Sequence, residues 1–377
     1  MKKNSVLFVV PDYHCSFIYR DQLEQIGWKV GIYVPADYPD QLLYDNTRIL
    51  RPKKLKGSGL LAAGINALVT FVYFNAMSLR FKYQIHYGSL DTGPTIERQL
   101  ARAQIAHRSF FLTLSIAKLF RKKVVYVPSG CRDEETRTVF SQLDNGNVCG
   151  NCGFADRCSD LNIVPNLERV QRYSDLVIGN GFFDSSQLRS EHFKYKVIDL
   201  ERWKVRDSDP VIENKVRILH SHAIETRSNN DLNIKGSPFV IDAMNRLVAE
   251  YENVEFVNVS GVNSAKMLRL QQESDIIVDQ LIYGHWGSTG IEALALGKTL
   301  VCYVRPGWAE FFLEKFPEYV EIPVVQATAD SIYEVLRDLI EDKSKREKMS
   351  KDARSFAEKH YDPKSNTDAL VKLLVTI

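Results

Sequence analysis

The sequence predicts an α/β protein built from two doubly wound domains with parallel sheets. Short apolar runs rich in β-branched residues recur in both halves of the chain, as expected for strands covered on both faces. Segments with helical periodicity lie between these runs, which is typical of β-α-β units. The length of 377 residues gives each of two domains enough chain to bury a core of its own.

The first half of the chain contains five predicted strands. They lie at residues 6–10, 29–34, 83–87, 123–128 and 175–179, with a helix predicted at 17–27. Pro11 and Asp12 interrupt the first apolar run, so it predicts a strand and not an export signal. We therefore expect a reducing compartment, where cysteines are metal ligands or free thiols more often than disulfides.

The alternation of strands and helices restarts after a polar linker predicted at 204–214. Strands are predicted at 216–222, 254–259, 275–281 and 299–304, and helices at 239–251 and 264–273. The expected domains are 1–205, with a cysteine-rich insertion at 131–160, then 206–355, and a terminal helical segment at 356–377.

Positive charge is concentrated in one part of the first domain. Thirteen Lys and Arg residues lie between Arg51 and Lys123 against two acids, although the whole chain has a net charge of only +2. Two apolar helical segments, 59–79 and 109–123, are interleaved with this charge. The combination is typical of a surface that lies on anionic lipid. The alternative is a pair of buried crossover helices with basic ends. Because no nucleic-acid-reading motif accompanies the charge, nucleic acid is not an expected partner.

Four of the six cysteines form a possible metal site. They are Cys131, Cys149, Cys152 and Cys158, and the Cys-x2-Cys pair at 149 and 152 directs two thiolates at one point. Two further thiolates would complete a tetrahedral zinc site, which would be structural because four protein ligands close the coordination shell. An iron–sulfur cluster and uncoordinated thiols are the alternatives. A zinc ion here would anchor the insertion that contains these cysteines.

A glycine-rich turn follows the predicted strand at 275–281. The residues of interest in the turn and the helix after it are Gly287, Ser288, Thr289, Gly290 and Glu292. Glycines let a ligand approach the backbone, and the N–H groups at a helix start favour a phosphate. Ser288 and Thr289 are placed to cap the helix. Glu292 lies in its first turn, where a carboxylate can accept hydrogen bonds from a ribose diol. An ordinary crossover with a capped helix is the alternative.

Polar side chains also follow several other predicted strands. Lys235 and Gly236 lie between the strand predicted at 216–222 and the helix predicted at 239–251. This place corresponds to that of the glycine-rich turn, two strands earlier in the second domain. In the first domain, His86, Arg132 and Asp133 follow strands at the edge where open α/β sheets bind ligands. Lys235 is a candidate for binding phosphate, or else a lysine beside a helix cap. The other three are candidates for catalysis, or else ordinary loop residues.

The segment from Gly287 to Lys298 resembles the G-x-x-x-x-E-A-x-A-x-G-K signature of GT-B glycosyltransferases, particularly family 4 and its capsule and lipopolysaccharide relatives. The resemblance implies two Rossmann-like domains facing a cleft, with a terminal helix that crosses back to the first domain. It also implies that Glu292 binds the nucleotide ribose, that the turn before it and Lys235 face the diphosphate, and that His86 lies beside the donor sugar. No catalytic metal is expected. Gly284 stands where many members have a second glutamate.

Together, these observations predict a cytoplasmic glycosyltransferase at the inner face of a membrane. It would move a hexose-like sugar from a nucleotide-sugar donor to a lipid-linked surface glycan. One alternative is a nucleotide-sugar epimerase of the same fold, which would need no acceptor or membrane. The other is a non-catalytic scaffold whose zinc-anchored loop binds a partner, which the glycine at position 284 would favour.

Overall fold

The protein is described from a computed structural model. The structure describes residues 4–36, 38–40, 43–45, 47–53, 60–88, 112–152, 158–179, 191–192, 195–204, 215–222 and 233–377. The chain folds into two units, of which the first comprises Met1–Val139, Cys158–Val197 and Pro363–Ile377. The second comprises Phe140–Arg157 and Ile198–Asp362. Residues 205–214 of the linker predicted at 204–214, and the middle of the cysteine-rich insertion, 153–157, lie outside the described residues.

The strands are short and all pair in parallel. Those of the first unit are β1 (Ser5–Val9), β2 (Lys29–Tyr33), β3 (Ile49–Leu50), β4 (Tyr83–Tyr87), β5 (Lys123–Val127), β6 (Leu176–Gly179) and β7 (Glu191–His192). Those of the second unit are β8 (Val216–His222), β9 (Val254–Ser260), β10 (Ile276–Val278), β11 (Thr299–Cys302) and β12 (Val325–Gln326). The nine strands predicted from apolar runs all form, and β10 is shorter than predicted.

The helices alternate with these strands. Those before β8 are α1 (Cys15–Gln25), α2 (Leu60–Ser78), α3 (Leu112–Leu119), α4 (Cys131–Glu134), α5 (Arg137–Phe140), α6 (Asn147–Gly150) and α7 (Asp160–Tyr173). Those after it are α8 (Ser237–Glu250), α9 (Ser264–Gln272), α10 (Ser288–Ala295), α11 (Pro306–Lys315), α12 (Ile332–Glu341), α13 (Lys343–His360) and α14 (Pro363–Thr376).

The two sheets have the strand orders of doubly wound folds. The first runs β3-β2-β1-β4-β5-β6-β7, and the second runs β12-β11-β10-β8-β9. In such sheets the strand order reverses beside the first strand, and ligands bind beyond the carboxyl ends of the strands at that point. The switch points therefore lie between β1 and β4 in the first unit and between β8 and β10 in the second. The predicted fold class, α/β with two doubly wound parallel sheets, is confirmed.

Apolar side chains from both faces of each sheet form the cores. In the first unit, Val6, Phe8 and Ile85 pack on one face with α1, and Leu370 and Leu374 of α14 join them. The terminal helix therefore belongs to the core of the first unit, although the segment directly before it, Ile198–Asp362, belongs to the second. In the second unit, the side chains of β8 and β10 pack against α8 and α12. Burying both faces of each sheet leaves the polar strand ends as the place for chemistry.

Candidate active site

Lys235 and Gly236 lie at the switch point of the second sheet, at the start of α8. Gly236 is the N-cap of this helix and has a φ of 71°, in the left-handed region that favours glycine. A Cβ at this position would lie 2.9 Å from the Cβ of Leu281, so the close packing also requires glycine. The turn places Lys235, which is buried, beside the segment that follows β10.

Asp279 joins Lys235 to the glycine-rich turn. One carboxylate oxygen of this fully buried residue accepts a hydrogen bond from Lys235 Nζ, and the other accepts one from the Gly287 amide at 2.6 Å. Lys235 Nζ also lies 3.4 Å from Thr289 Oγ1. Asp279 was not among the residues predicted from the sequence. The signal that could have found it is an acidic residue directly after a β-branched strand, at the carboxyl edge of the sheet.

Protein packing limits the space for a side chain at both Gly287 and Gly290. A Cβ on residue 290 would lie 2.6 Å from the Cβ of Trp286 and 2.9 Å from an Asp279 carboxylate oxygen. A Cβ on Gly287 would lie 3.3 Å from Gln280 Nε2, which is a tight contact. Contacts with Trp286, Asp279 and Gln280 therefore explain part of the glycine spacing, and the approach of a ligand is not needed for that part.

The helix α10 begins at Ser288 and has Gly287 as its N-cap. Ser288 and Thr289 therefore lie inside the first turn, and the prediction that their side chains cap the helix is wrong. The amides of this turn, including that of Gly290, precede the first intrahelical acceptors and carry the positive end of the helix dipole. With the Lys235 ammonium, whose charge Asp279 balances, these amides offer hydrogen-bond donors to an anion.

Glu292 lies one turn further along α10 and points towards α9. Its carboxylate accepts a hydrogen bond from Gln271 Nε2 at 2.7 Å. Burial raises the pKa of the Glu292 carboxyl to about 7, against the opposite effects of the Gln271 hydrogen bond and of Lys235. Its side chain is nevertheless partly accessible to solvent. The residue is thus fixed by a neighbouring amide and carries a carboxyl that is easily neutralised.

Two histidines of β8 border the same switch point. The ring nitrogens of His220 lie 3.0 Å from the Val278 carbonyl oxygen and 2.8 Å from Ser237 Oγ. Burial and the nearby Lys235 lower the pKa of His220 to about 3. His220 is therefore a neutral residue that ties β8 to the start of α8, and His222 stacks on it with ring centroids 6.0 Å apart.

Gly284 stands where the resemblance expects a glutamate, and its place is filled by Arg305. A Cβ at this position would lie 2.8 Å from the Arg305 guanidinium carbon, and the φ of Gly284 is 104°. Arg305 is buried, pairs with Asp144 at 2.8 Å and donates to the Tyr283 carbonyl oxygen at 3.0 Å. The Arg305 guanidinium therefore occupies the space that a side chain at position 284 would need.

The switch point of the first sheet carries a second ion pair. Lys196 Nζ lies 2.5 Å from an oxygen of the buried Asp12 carboxylate and 3.0 Å from the Tyr87 hydroxyl. Although burial favours the neutral amine, Asp12 raises the pKa of Lys196. Cys15 donates to the Val197 carbonyl oxygen at 3.3 Å, and burial raises the pKa of its thiol. Sequence reasoning missed Asp12 and Lys196, because their pairing joins residues that are far apart in the chain.

His86 lies at the end of β4, beside Val9 of β1 and Tyr126 of β5 in the sheet register. It is buried, and neither ring nitrogen has a hydrogen-bond partner among the residues that the structure describes. Burial lowers the pKa of His86 to about 4, so the imidazole is neutral near pH 7. His86 lies near the carboxyl end of its strand, where it was predicted. Its catalytic role stays a prediction.

Arg132 and Asp133 lie in α4, directly after β5. The Asp133 carboxylate accepts hydrogen bonds from the Ser129 hydroxyl at 3.2 Å and from its amide at 3.4 Å. Burial raises the pKa of Asp133 against these hydrogen bonds. A Cβ on Gly88 would lie 2.8 Å from Ser129 Oγ, so the segments after β4 and β5 meet here. Arg132 is exposed to solvent.

The predicted zinc site is not supported. Cys131 begins α4 and Cys158 precedes α7, both in the first unit, whereas Cys149 lies in α6 and Cys152 follows it in the second unit. Among the described residues, which include all four cysteines, no group of three or more His, Cys, Asp or Glu is arranged to hold a metal ion. The Cys-x2-Cys pair suggested a common ligand set, and the described part of the chain does not show one.

Comparison with known proteins gives a family match over part of the chain. Residues 216–356 match the family model for Glycosyl transferases group 1. Comparison with curated proteins gives no match. The matched segment contains Lys235, the glycine-rich turn and Glu292, so the similarity of sequence covers the site in the second unit.

Solved structures are similar over nearly the whole chain. Anabaena HepE in complex with UDP has a TM-score of 0.60 and 13% identity, with 99% of this chain and 100% of that chain covered. Sucrose-phosphate synthase from Thermosynechococcus elongatus has a TM-score of 0.63 and 11% identity, with 99% of each chain covered. The UDP-GlcNAc 2-epimerase from Neisseria meningitidis, bound to UDP-GlcNAc, has a TM-score of 0.54 and 13% identity, with both chains fully covered (100%). The chain therefore has the GT-B fold, and its residues 216–356 carry the sequence features of the group 1 glycosyl transferases.

Proposed function

We propose that this protein is a glycosyltransferase that takes a hexose from a nucleotide-sugar donor held in the second unit. The observation that carries the proposal is the convergence of the Lys235 ammonium with the first turn of α10 at a topological switch point. The similar Anabaena HepE has been solved with UDP and with UDP-glucose, which supports a donor of this class.

In this proposal each residue of the site has one task. Lys235 and the amides at Ser288, Thr289 and Gly290 bind the diphosphate and stabilise its charge as it leaves. Preorganised cations and amides can supply this stabilisation without a metal ion, because they are already oriented before the charge develops. Glu292 accepts hydrogen bonds from the ribose hydroxyls, with Gln271 holding its carboxylate in place.

The first unit is proposed to handle the acceptor. His86 is neutral near pH 7, so it can accept a proton from an attacking hydroxyl. Arg132 and Asp133 follow the neighbouring strand β5 and would position the acceptor. We propose that the acceptor is a lipid-linked glycan used to build a surface polysaccharide, at the cytoplasmic face of a membrane. The excess of positive charge between Arg51 and Lys123 supports this setting.

Calorimetric titration with UDP, GDP, ADP and CMP tests the donor site. We expect wild-type protein to bind one of these nucleotides selectively. Lys235→Met should weaken that binding by about 10–100-fold, because a hydrogen bond to a charged group is worth about 1.5–3 kcal/mol. Glu292→Ala should weaken binding of the nucleotide but not of inorganic pyrophosphate. Lys266→Met, which removes an exposed lysine of the same unit, is the control and should bind normally. If no nucleotide binds to folded wild-type protein, the donor site does not exist as proposed.

An epimerase is the second candidate, because the Neisseria meningitidis UDP-GlcNAc 2-epimerase has a similar fold. An epimerase would change UDP-GlcNAc without any acceptor. Proton NMR of UDP-GlcNAc incubated with the protein alone separates the two functions. A new anomeric signal from an epimerised sugar would favour the epimerase, and an unchanged spectrum is expected for the transferase.

A further inference from the structure

The helix α2 is apolar on all its faces. Its sequence from Leu60 to Ser78 contains no charged residue. Such a helix is normally surrounded by protein or by lipid. It is also the one helix within the described residues that is long and apolar enough to cross a membrane, yet only 17% of its most apolar window is buried.

One face of α2 packs on the first sheet. Phe74 is buried in a cluster with Leu7, Val9 and Tyr33, and its ring meets that of Tyr33 edge-on at 4.7 Å. Ala67, two turns earlier on the same face, is also buried. Because α2 is the crossover between β3 and β4 and lies along their sheet, it cannot cross a bilayer without unfolding the unit.

The opposite face of α2 is apolar and exposed to solvent. It carries Leu61, Ile65, Leu68 and Val72, whose spacing of four, three and four residues places them in one row along the helix. Their side chains are between 41% and 80% exposed. A continuous row of exposed aliphatic side chains is unusual for a soluble surface and marks an interaction site.

The helix α3 lies against α2 and leads into further exposed apolar residues. Leu119 and Phe120, at its end, are both more than half exposed. Basic residues follow immediately, of which Arg121 is exposed, while Lys118 pairs with Asp175 at 2.7 Å. Neither α2 nor α3 contains an acidic residue. The surface thus combines aliphatic side chains with positive charge, and its own helices offer no negative charge to repel an anionic partner.

We propose that this surface, formed by Leu61, Ile65, Leu68 and Val72 of α2 with Leu119, Phe120 and Arg121, binds an anionic lipid bilayer. The helix lies in the plane of the interface, with its exposed row among the acyl chains and the sheet behind it in water. Charge complementarity selects anionic lipid, because the exposed Arg121 directly follows the exposed Leu119 and Phe120 in the chain. The inference rests on the proposed action at a membrane, but not on the chemistry of sugar transfer.

Vesicle sedimentation with the full-length protein tests this surface. Wild-type protein should sediment with vesicles of phosphatidylcholine and phosphatidylglycerol, and much less with vesicles of phosphatidylcholine alone. Leu61→Gln with Leu68→Gln should lower the partition coefficient by roughly tenfold or more, because each methylene buried in the bilayer contributes about fourfold. Arg121→Glu should reduce binding to the anionic vesicles and the sensitivity of that binding to salt.

Leu161→Gln is the matched control, because Leu161 is a 79% exposed leucine of α7 in the same unit. It should sediment like the wild type, and all variants should keep the wild-type circular dichroism and unfolding midpoint. Wild-type protein that does not sediment with anionic vesicles overturns the proposal, as does equal sedimentation of the double variant. A wild-type dimer that the double variant converts to a monomer, measured by light scattering without vesicles, would assign the surface to a second copy of the chain instead. Titration with UDP is independent of these outcomes, so failure of the donor site and failure of the lipid surface are distinguishable.

Discussion

Asp279→Asn is the substitution that tests the central contact of the second unit most directly. The asparagine side chain has nearly the same shape, so it fits the same space between Lys235 and the Gly287 amide. It removes the negative charge that Lys235 contacts, while Lys235 itself is only 7% exposed. The ammonium is then buried without its counter-ion in protein that has no nucleotide bound.

The expected loss of stability is large. Removing one partner of a buried ion pair costs about 3–5 kcal/mol, because the remaining charge is left without compensation. This is a considerable part of the roughly 5–15 kcal/mol that stabilises an ordinary domain. A bound diphosphate would supply a second counter-ion for Lys235. We therefore expect UDP to raise the unfolding midpoint of Asp279→Asn by more than it raises that of the wild type.

Urea unfolding followed by circular dichroism measures both effects. The wild type, Asp279→Asn, Lys235→Met and the double variant form a cycle, and the double variant should be much more stable than the sum of the single changes implies. Asp338→Asn is the control, because Asp338 pairs with Lys345 at an exposed position and its loss should leave the midpoint unchanged. An Asp279→Asn variant within about 1 kcal/mol of the wild type, or additive effects in the cycle, would refute the pairing as described.

Further predictions concern protonation, packing and metal. Because folding raises the pKa of Glu292 from 4.5 to about 7, its contribution to stability is present below pH 4.5 and is lost as the pH rises to about 7. Glu292→Gln should flatten this part of the urea stability profile, and nucleotide affinity of the wild type should rise over the same range. His86 has the opposite sign: its pKa falls from 6.5 to about 4, so stability is lost as the pH falls through that range, and His86→Leu should remove this loss without lowering stability at pH 7. Gly284→Ala should lower the thermal midpoint, because its Cβ would meet Arg305 and its φ is positive. Addition of EDTA should leave the midpoints of the wild type and of Cys149→Ser unchanged, and a fall of the wild type alone would restore the zinc hypothesis.

The fold could be predicted from the sequence because its strands are buried on both faces. Val6 to Val9 and Ile276 to Val278 consist of apolar residues, mostly β-branched. Such runs are typical of strands buried on both faces of a parallel sheet. The edge strands β3, β7 and β12 have two residues each and carry no such pattern, so they were missed. Their pairing is decided by the neighbouring strand and not by their own side chains.

The site could be predicted only where the chain is locally distinctive. Lys235 with Gly236, and the turn at Gly287 to Gly290, stand out as glycine-rich helix starts, and the structure places them at one switch point. Asp279 did not stand out, because its importance depends on partners 44 and 8 residues away in the sequence. The cysteines failed for the converse reason: the Cys-x2-Cys pair is distinctive in the chain, but the described residues show no group of three or more metal ligands around it.

Both units place a buried aspartate against a lysine at the switch point of the sheet. Asp279 follows β10 and contacts Lys235, and Asp12 follows β1 and contacts Lys196. In each case the carboxylate belongs to the loop after a central strand. Both carboxylates are buried there, so solvent hardly reaches them. The side chains of the two lysines differ in exposure, 9% for Lys235 and 32% for Lys196. The more enclosed pair therefore gains more from a phosphate that can replace or share its counter-ion, since charges interact more strongly where water is excluded. This difference favours the second unit as the anion site of the proposed function, although both sheets carry the same kind of ion pair.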